Sequence, residues 1–146
     1  MTGIWTWHSG TPFTVTSGQD RSLSGVGLDR ADLTGNPALS GDRPNSQLIN
    51  QYFNTSAFAL NAPGTFGTAA RNLLRNPQYF NVDYSLQKSF PLAERARIQL
   101  RGDFFNVFNN VHFSQPGSNV SSPSTFGKIT AAGDPRIIQL ALKVIF

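Results

Sequence analysis

The 146 residues predict an all-β chain of about four antiparallel strands carrying two long polar loops. Three observations carry that expectation: period-two alternation in three segments, a near absence of helical periodicity, and connections of very unequal length. Composition narrows the function classes. Charged residues make up 14% of the chain, against roughly 25% in an average soluble domain, and twelve Phe dominate its aromatic share. The absence of cysteine removes disulfide scaffolds, thiolate metal sites and cysteine nucleophiles together. Two histidines far apart in sequence, His8 and His112, offer nothing for a zinc site. The formal charge of +4 is scattered singly rather than clustered, so no nucleic-acid partner is expected.

The elements follow in order. A weak first strand spans residues 3–15, with Trp5 and Trp7 on one face. Residues 16–78 form the first long loop, punctuated by Asn36-Pro37 and Ala62-Pro63-Gly64, with one short helical candidate of two turns at most over Ser46–Phe53. The second strand, 79–90, sets Phe80, Val82, Tyr84, Leu86, Lys88 and Phe90 against Asn81, Asp83, Ser85, Gln87 and Ser89. The third, 94–107, sets Ala96, Ile98, Leu100, Gly102 and Phe104 against Arg95, Arg97, Gln99, Arg101 and Asp103. After a second polar loop over 108–135, the last strand, 136–146, sets Ile138, Leu140, Leu142, Val144 and Phe146 against Gln139, Ala141, Lys143 and Ile145.

Compact soluble domains rarely carry structureless connections beyond about 12–15 residues, yet both loops exceed that. Short turns on one side and long polar loops on the other is the connection pattern of a transmembrane β-barrel of the outer membrane. The topology agrees. With the C-terminus on the periplasmic side, the turn at Pro91 falls in the periplasm and both long loops fall outside. Lipid then covers the apolar face, with Trp5, Trp7, Phe80, Phe90 and Phe104 as interface aromatics, Tyr79 and Phe105 in the outer belt, and Phe146 beside Phe90 in the periplasmic one. Lys88 breaks that face one pair from the turn, where its stem snorkels to the headgroups. Asp83, Arg97, Arg101 and Asp103 face the lumen, and a three-residue turn at Pro91–Ala93 sets Asp83 opposite Arg101 and Tyr84 diagonal to Gly102. A soluble half-buried sheet shows the same alternation; loop lengths and the terminal strand favour the barrel.

No stretch reaches the roughly 20 apolar residues of a transmembrane helix, and Met1–Gly10 has neither the charged nor the apolar region of a signal peptide. That fits either a cytosolic protein or a piece of a longer chain. Single-chain bacterial barrels begin at about eight strands, so about four cannot close alone. The chain therefore reads as the C-terminal fragment of a larger barrel, starting at an internal Met.

The ending Ile138–Phe146, with alternating Ile138, Leu140, Leu142, Val144 and a terminal Phe146, resembles the strand by which outer-membrane barrels are read by the barrel-assembly machinery. Other pieces resemble the large TonB-dependent receptors of the Oar-like, acidobacterial type that carry a carboxypeptidase-regulatory-like domain. These are Ser9–Val15, Asp29–Leu33, Phe53–Phe58, Gly64–Gly67, Arg71–Arg75, Phe80–Leu86, Phe104–Asn109 and Gly133–Gln139. The resemblance implies an outer-membrane location and a non-enzymatic role in uptake of an unknown ligand, with outer-membrane lipid around the barrel. It implies a link to the TonB complex through an N-terminal part this sequence does not contain. It departs from the family in lacking the plug and most strands of a roughly 22-stranded barrel.

Other residues carry less. Asp29, Asp32 and Asp42 match no EF-hand spacing and read as Asx-turns and local ion pairs rather than a calcium site. Asn54-Thr55-Ser56 and Asn119-Val120-Ser121 match the glycosylation sequon by chance composition. No catalytic residue, metal ligand or cofactor motif is expected. Two other readings remain open: a soluble all-β ligand- or carbohydrate-binding module using Trp5 and Trp7, and a small barrel closed by oligomerisation.

Overall fold

The computed structural model describes residues 1–146, which divide into two units. The first comprises Met1–His8, Gln78–His112 and Gly133–Phe146; the second comprises Ser9–Pro77 and Phe113–Ala132. No helix in either is long and apolar enough to cross a membrane.

The first unit is one four-stranded antiparallel sheet. Its strands are β1 (Thr2–His8), β6 (Tyr79–Pro91), β7 (Arg97–Phe105) and β8 (Ile137–Ile145), in the order β1-β6-β7-β8. The second unit contributes β2 (Pro12–Phe13) paired with β5 (Leu74–Arg75), and β3 (Asp32–Leu33) paired with β4 (Phe58–Ala59). Its helix α1 (Asn45–Asn50) is shorter than the sequence pattern suggested and is followed by a 3₁₀ turn at Thr55–Ala57.

Alternation places every strand of the sheet as expected. Trp5 pairs with Val82 and Trp7 with Phe80; Leu86 pairs with Gly102, Lys88 with Leu100 and Phe90 with Ile98. Leu100 in turn pairs with Leu142, and Ile98 with Val144. Because side chains alternate along a strand and match across pairs, one apolar face runs unbroken across all four strands. No second layer covers it: Trp5 is 74%, Leu140 81% and Leu142 65% exposed. A soluble half-buried sheet would bury that face, at a gain of about 1.5–3 kcal/mol for each large side chain.

The register departs from the expectation. Ser85 pairs with Asp103 and Gln87 with Arg101, so Asp83 does not face Arg101. The cause is the hairpin tip, which is Glu94–Arg95 rather than Pro91–Ala93. The Ala96 carbonyl accepts the N–H groups of both Leu92 (2.8 Å) and Ala93 (3.1 Å), and the Ala96 N–H donates to the Ala93 carbonyl (3.2 Å). Two residues thus oppose one, a β-bulge that resets the pairing. Tyr84 lies over Gly3, its Cδ2 3.4 Å from where a Cβ would stand, while Gly102 is covered by Phe104 (3.3 Å) and Leu140 (3.4 Å).

The long polar connections fold around a core of their own. Phe13, Val15, Ala31, Phe53, Ala57, Phe58 and Ala69 form a buried core, with Leu33, Tyr52, Leu73, Leu74, Val120 and Phe126 packed against it. Phe53 is its centre, with ring centroids 6.2 Å from Phe13, 5.6 Å from Phe58 and 5.3 Å from Phe126. Backbone bonds stitch distant segments around it. Ser17 N–H donates to Asp29 O (2.8 Å), Thr16 N–H to Ser118 O (2.9 Å) and Tyr52 N–H to Gly127 O (2.7 Å). The first strand ends at His8 rather than at residue 15 because Thr11 and Phe13 belong to this unit. There Asn76 N–H bonds Thr11 O at 2.9 Å. Gly67 is required here: a Cβ would run into the carbonyl oxygens of Arg30 and Ala31.

Candidate functional site

The residues expected to work at the membrane all lie in the sheet unit. Ile138, Leu140, Leu142 and Val144 of β8 occupy the apolar face, paired with Phe104, Gly102, Leu100 and Ile98. β8 is an edge strand, bonded to β7 on one side only, and Phe146 follows it at 95% exposure. β1 is the opposite edge. An unpaired edge cannot persist in hydrocarbon, where every backbone N–H and C=O needs a protein partner, so both edges require further strands in the membrane.

The expected lumen charges Asp83, Arg97, Arg101 and Asp103 share the polar face. Asp103 accepts a hydrogen bond from the Ser85 hydroxyl (2.6 Å) and pairs with the Arg101 guanidinium (2.9 Å). Asp83, freed from Arg101 by the bulge, instead accepts the Asn81 side-chain amide and the Asn106 N–H, both at 2.9 Å.

The aromatics divide between the two ends of the sheet. At the end leading into the long connections, Trp5 meets Phe80 edge-on (6.3 Å) and Phe80 stacks on Phe108 (6.0 Å). Phe108 belongs to this belt but was missed, because it lies beyond the alternating run. Phe104 shares the same face. At the hairpin end the Lys88 ammonium stands 5.2 Å from the Phe90 ring centre, directed toward the turn as snorkelling requires. Tyr79 and Phe105 are corrections: by pairing, with His8 and Ile137, both sit on the polar face rather than in the outer belt. Tyr79 stacks with His8 (5.1 Å) and meets the tilted ring of His112 (4.2 Å), so two histidines far apart in sequence contact one ring.

A second feature missed by pattern reading is the Asn106 hub. Asn106 is buried with φ +51°, its amide donates to Asn110 O (2.9 Å), and its side-chain oxygen accepts Asn110 N–H (2.9 Å). Asn109, also left-handed, accepts Arg136 N–H (3.0 Å), tying the exit of β7 to the entry of β8. The signal was present in the Asn-rich run after β7, since Asn tolerates this conformation and bonds its own backbone.

In the second unit the acidic residues serve the backbone. Asp29 accepts Ser22 N–H (2.6 Å) and the Ser22 hydroxyl (2.9 Å), and Asp32 accepts Thr68 N–H (3.0 Å). The Ser22 N–H bond, against the opposing effect of burial, holds the Asp29 carboxyl below its usual range. Burial pushes the Tyr52 phenol up. No three His, Asp or Glu residues converge as a metal-binding group. The recess lined by Arg43, Ser46, Gln47, Asn50 and Gln51 is held by Arg43 itself, which donates to the carbonyls of Ser40, Gln51 and Tyr52.

The arrangement is a wall with one face for lipid and one for water, built by strand pairing. No curated protein and no solved structure matches the chain. A family model described as an outer membrane beta barrel domain matches residues 1–139. With its uncovered apolar face and unpaired edges, the chain belongs to the outer membrane beta-barrel domain family and resides in the outer membrane.

Proposed function

We propose that this chain is the C-terminal barrel portion of a TonB-dependent receptor of the Oar-like type. It supplies four strands, two folded surface loops and the strand that the assembly machinery reads, and it is not competent for transport alone. In the intact receptor, ligand uptake is driven by the TonB complex acting through an N-terminal part, and the chain carries out no chemical step. The observation that carries this reading is the pairing of a short bulged hairpin at one end of the sheet with long connections that fold around their own Phe53-centred core. Large surface loops of that kind suit ligand capture, and the alternating β8 with Phe146 suits assembly. The two unpaired edges also suit a small barrel closed by several copies.

An immunoblot of outer-membrane fractions with an antibody to the last thirty or so residues tests both. A band many times larger than 15.9 kDa supports the receptor. A heat-labile oligomer built from 15.9 kDa chains supports the small barrel and sinks the receptor reading. Deleting Phe146 is expected to block assembly; unchanged assembly would remove the role given to β8.

A further inference from the structure

The polar face of the sheet separates its charges. Asp83 and Asp103 lie toward the long connections and are already engaged, Asp83 by Asn81 and Asn106, Asp103 by Ser85 and Arg101. Toward the hairpin, Arg97, Arg101 and Lys143 gather. Gln99 pairs with Lys143, while Arg97 pairs with Ile145 and Arg101 with Ala141. Lys143 is therefore the diagonal neighbour of both arginines, roughly 7–8 Å from each along the sheet. Across β6 the facing residues Gln87, Ser89 and Pro91 are neutral. Glu94 in the hairpin tip pairs with none of the three, and Arg101 alone of them meets a carboxylate, that of Asp103. Three like charges gathered on one wall repel each other, and the apolar walls around a confined aqueous space concentrate their field. Two of them have no carboxylate to offset it.

We propose that Arg97, Lys143 and Arg101 form a binding place for an anion, a carboxylate or phosphate group carried by a solute inside the barrel. This rests on the polar face being the lumen of the assembled barrel. It deepens the transport reading by giving the solute a charge: guanidinium groups take such oxyanions through two parallel N–H bonds, and the ammonium adds a point charge between them.

The absence of cysteine makes a direct test available. Gln99→Cys and Leu100→Cys are introduced separately into the protein in native outer membranes. Each is treated with an anionic sulfonate or a cationic trimethylammonium methanethiosulfonate, neither of which enters lipid. With each rate taken relative to the same reagent's rate on a free thiol in solution, focusing of the field by the cations is expected to favour the sulfonate over the trimethylammonium at Gln99→Cys roughly tenfold. Inorganic phosphate should slow the sulfonate more than chloride does at equal ionic strength, and adding Arg97→Gln and Lys143→Gln should bring the two rates together. Leu100→Cys, on the lipid face, should stay silent to both. Equal rates at Gln99→Cys, no protection by phosphate, or no reaction at all would overturn the anion site while leaving the barrel intact. Labelling of Leu100→Cys would instead overturn the assignment of the faces. Ser89→Cys, paired with Gln99, repeats the measurement should Gln99→Cys not assemble.

Discussion

The sheet of β1, β6, β7 and β8 and the unit of residues 9–77 and 113–132 use hydrophobic side chains in opposite ways. In the sheet, Trp5, Trp7, Leu140 and Leu142 are largely exposed; in the other unit, Phe13, Phe53 and Phe58 are buried at 5%, 2% and 6% exposure. The first pattern is stable only where the surroundings are apolar, and the second only where they are water, since burial is driven by removing apolar surface from water. One chain therefore carries the record of two solvents. The difference also explains the polar groups. The sheet satisfies its backbone through long ladders, whereas the second unit relies on side chains such as Asp29, Asp32 and Arg43 to bond loop N–H and C=O groups.

Substitutions can break this contrast, beginning with the largest effect. Phe53→Ala removes the centre of the core in the second unit and should cost about 3–5 kcal/mol there. It should be read as rapid proteolysis of residues 9–77 while β6–β8 stay protected; equal protection would mean that core is not cooperative. Next, Leu142→Arg puts a charge on the lipid face near the middle of β8 and should cost about 2–4 kcal/mol of membrane stability. Gln139→Arg, on the polar face opposite Asp103, should cost almost nothing, and urea titration of the folded protein in lipid vesicles compares the two. If the two cost the same, the faces are not separated by lipid and water. Asn106→Ala leaves buried N–H and C=O groups without partners and should cost about 1–3 kcal/mol. Asn106→Gly keeps the left-handed backbone and should fall between Asn106→Ala and the unaltered protein, as thermal melting would show.

The smallest effect is one of pH. Because folding lowers the Asp29 pKa, its contribution is present above the usual aspartate value and is lost as pH falls through the lowered value. Pepsin cleavage within residues 20–29 should therefore rise at the acid end of the range, and Asp29→Asn should flatten that rise. An unchanged cleavage profile in Asp29→Asn would assign the acid sensitivity to another group.

Legibility followed the range of the interactions. The period-two faces of β6, β7 and β8 could be read locally, because alternation needs only the residues of one strand, and loop length with the terminal Phe146 pointed to the membrane. The register could not. It hung on a single extra residue at Leu92–Ala93, and a bulge has no strong signal in a turn that also contains Pro91. Tyr79 and Phe105 were assigned by residue type where parity put them on the other face. The core of the second unit was illegible for a different reason. Phe13, Phe53 and Phe126 meet across long stretches of polar sequence, without periodicity, and their segments resemble loops one at a time.

What the sequence determined by itself was an all-β chain, the apolar and polar faces of its strands, and an outer-membrane setting, because side-chain alternation and hydropathy are local properties of the chain. Only the tertiary structure decided which charges meet. It moved Asp83 away from Arg101, brought Lys143 between Arg97 and Arg101, and folded the long connections around Phe53. Those outcomes depend on pairing between distant segments, whose register is set by one bulge and whose cores form only when the whole chain is in place.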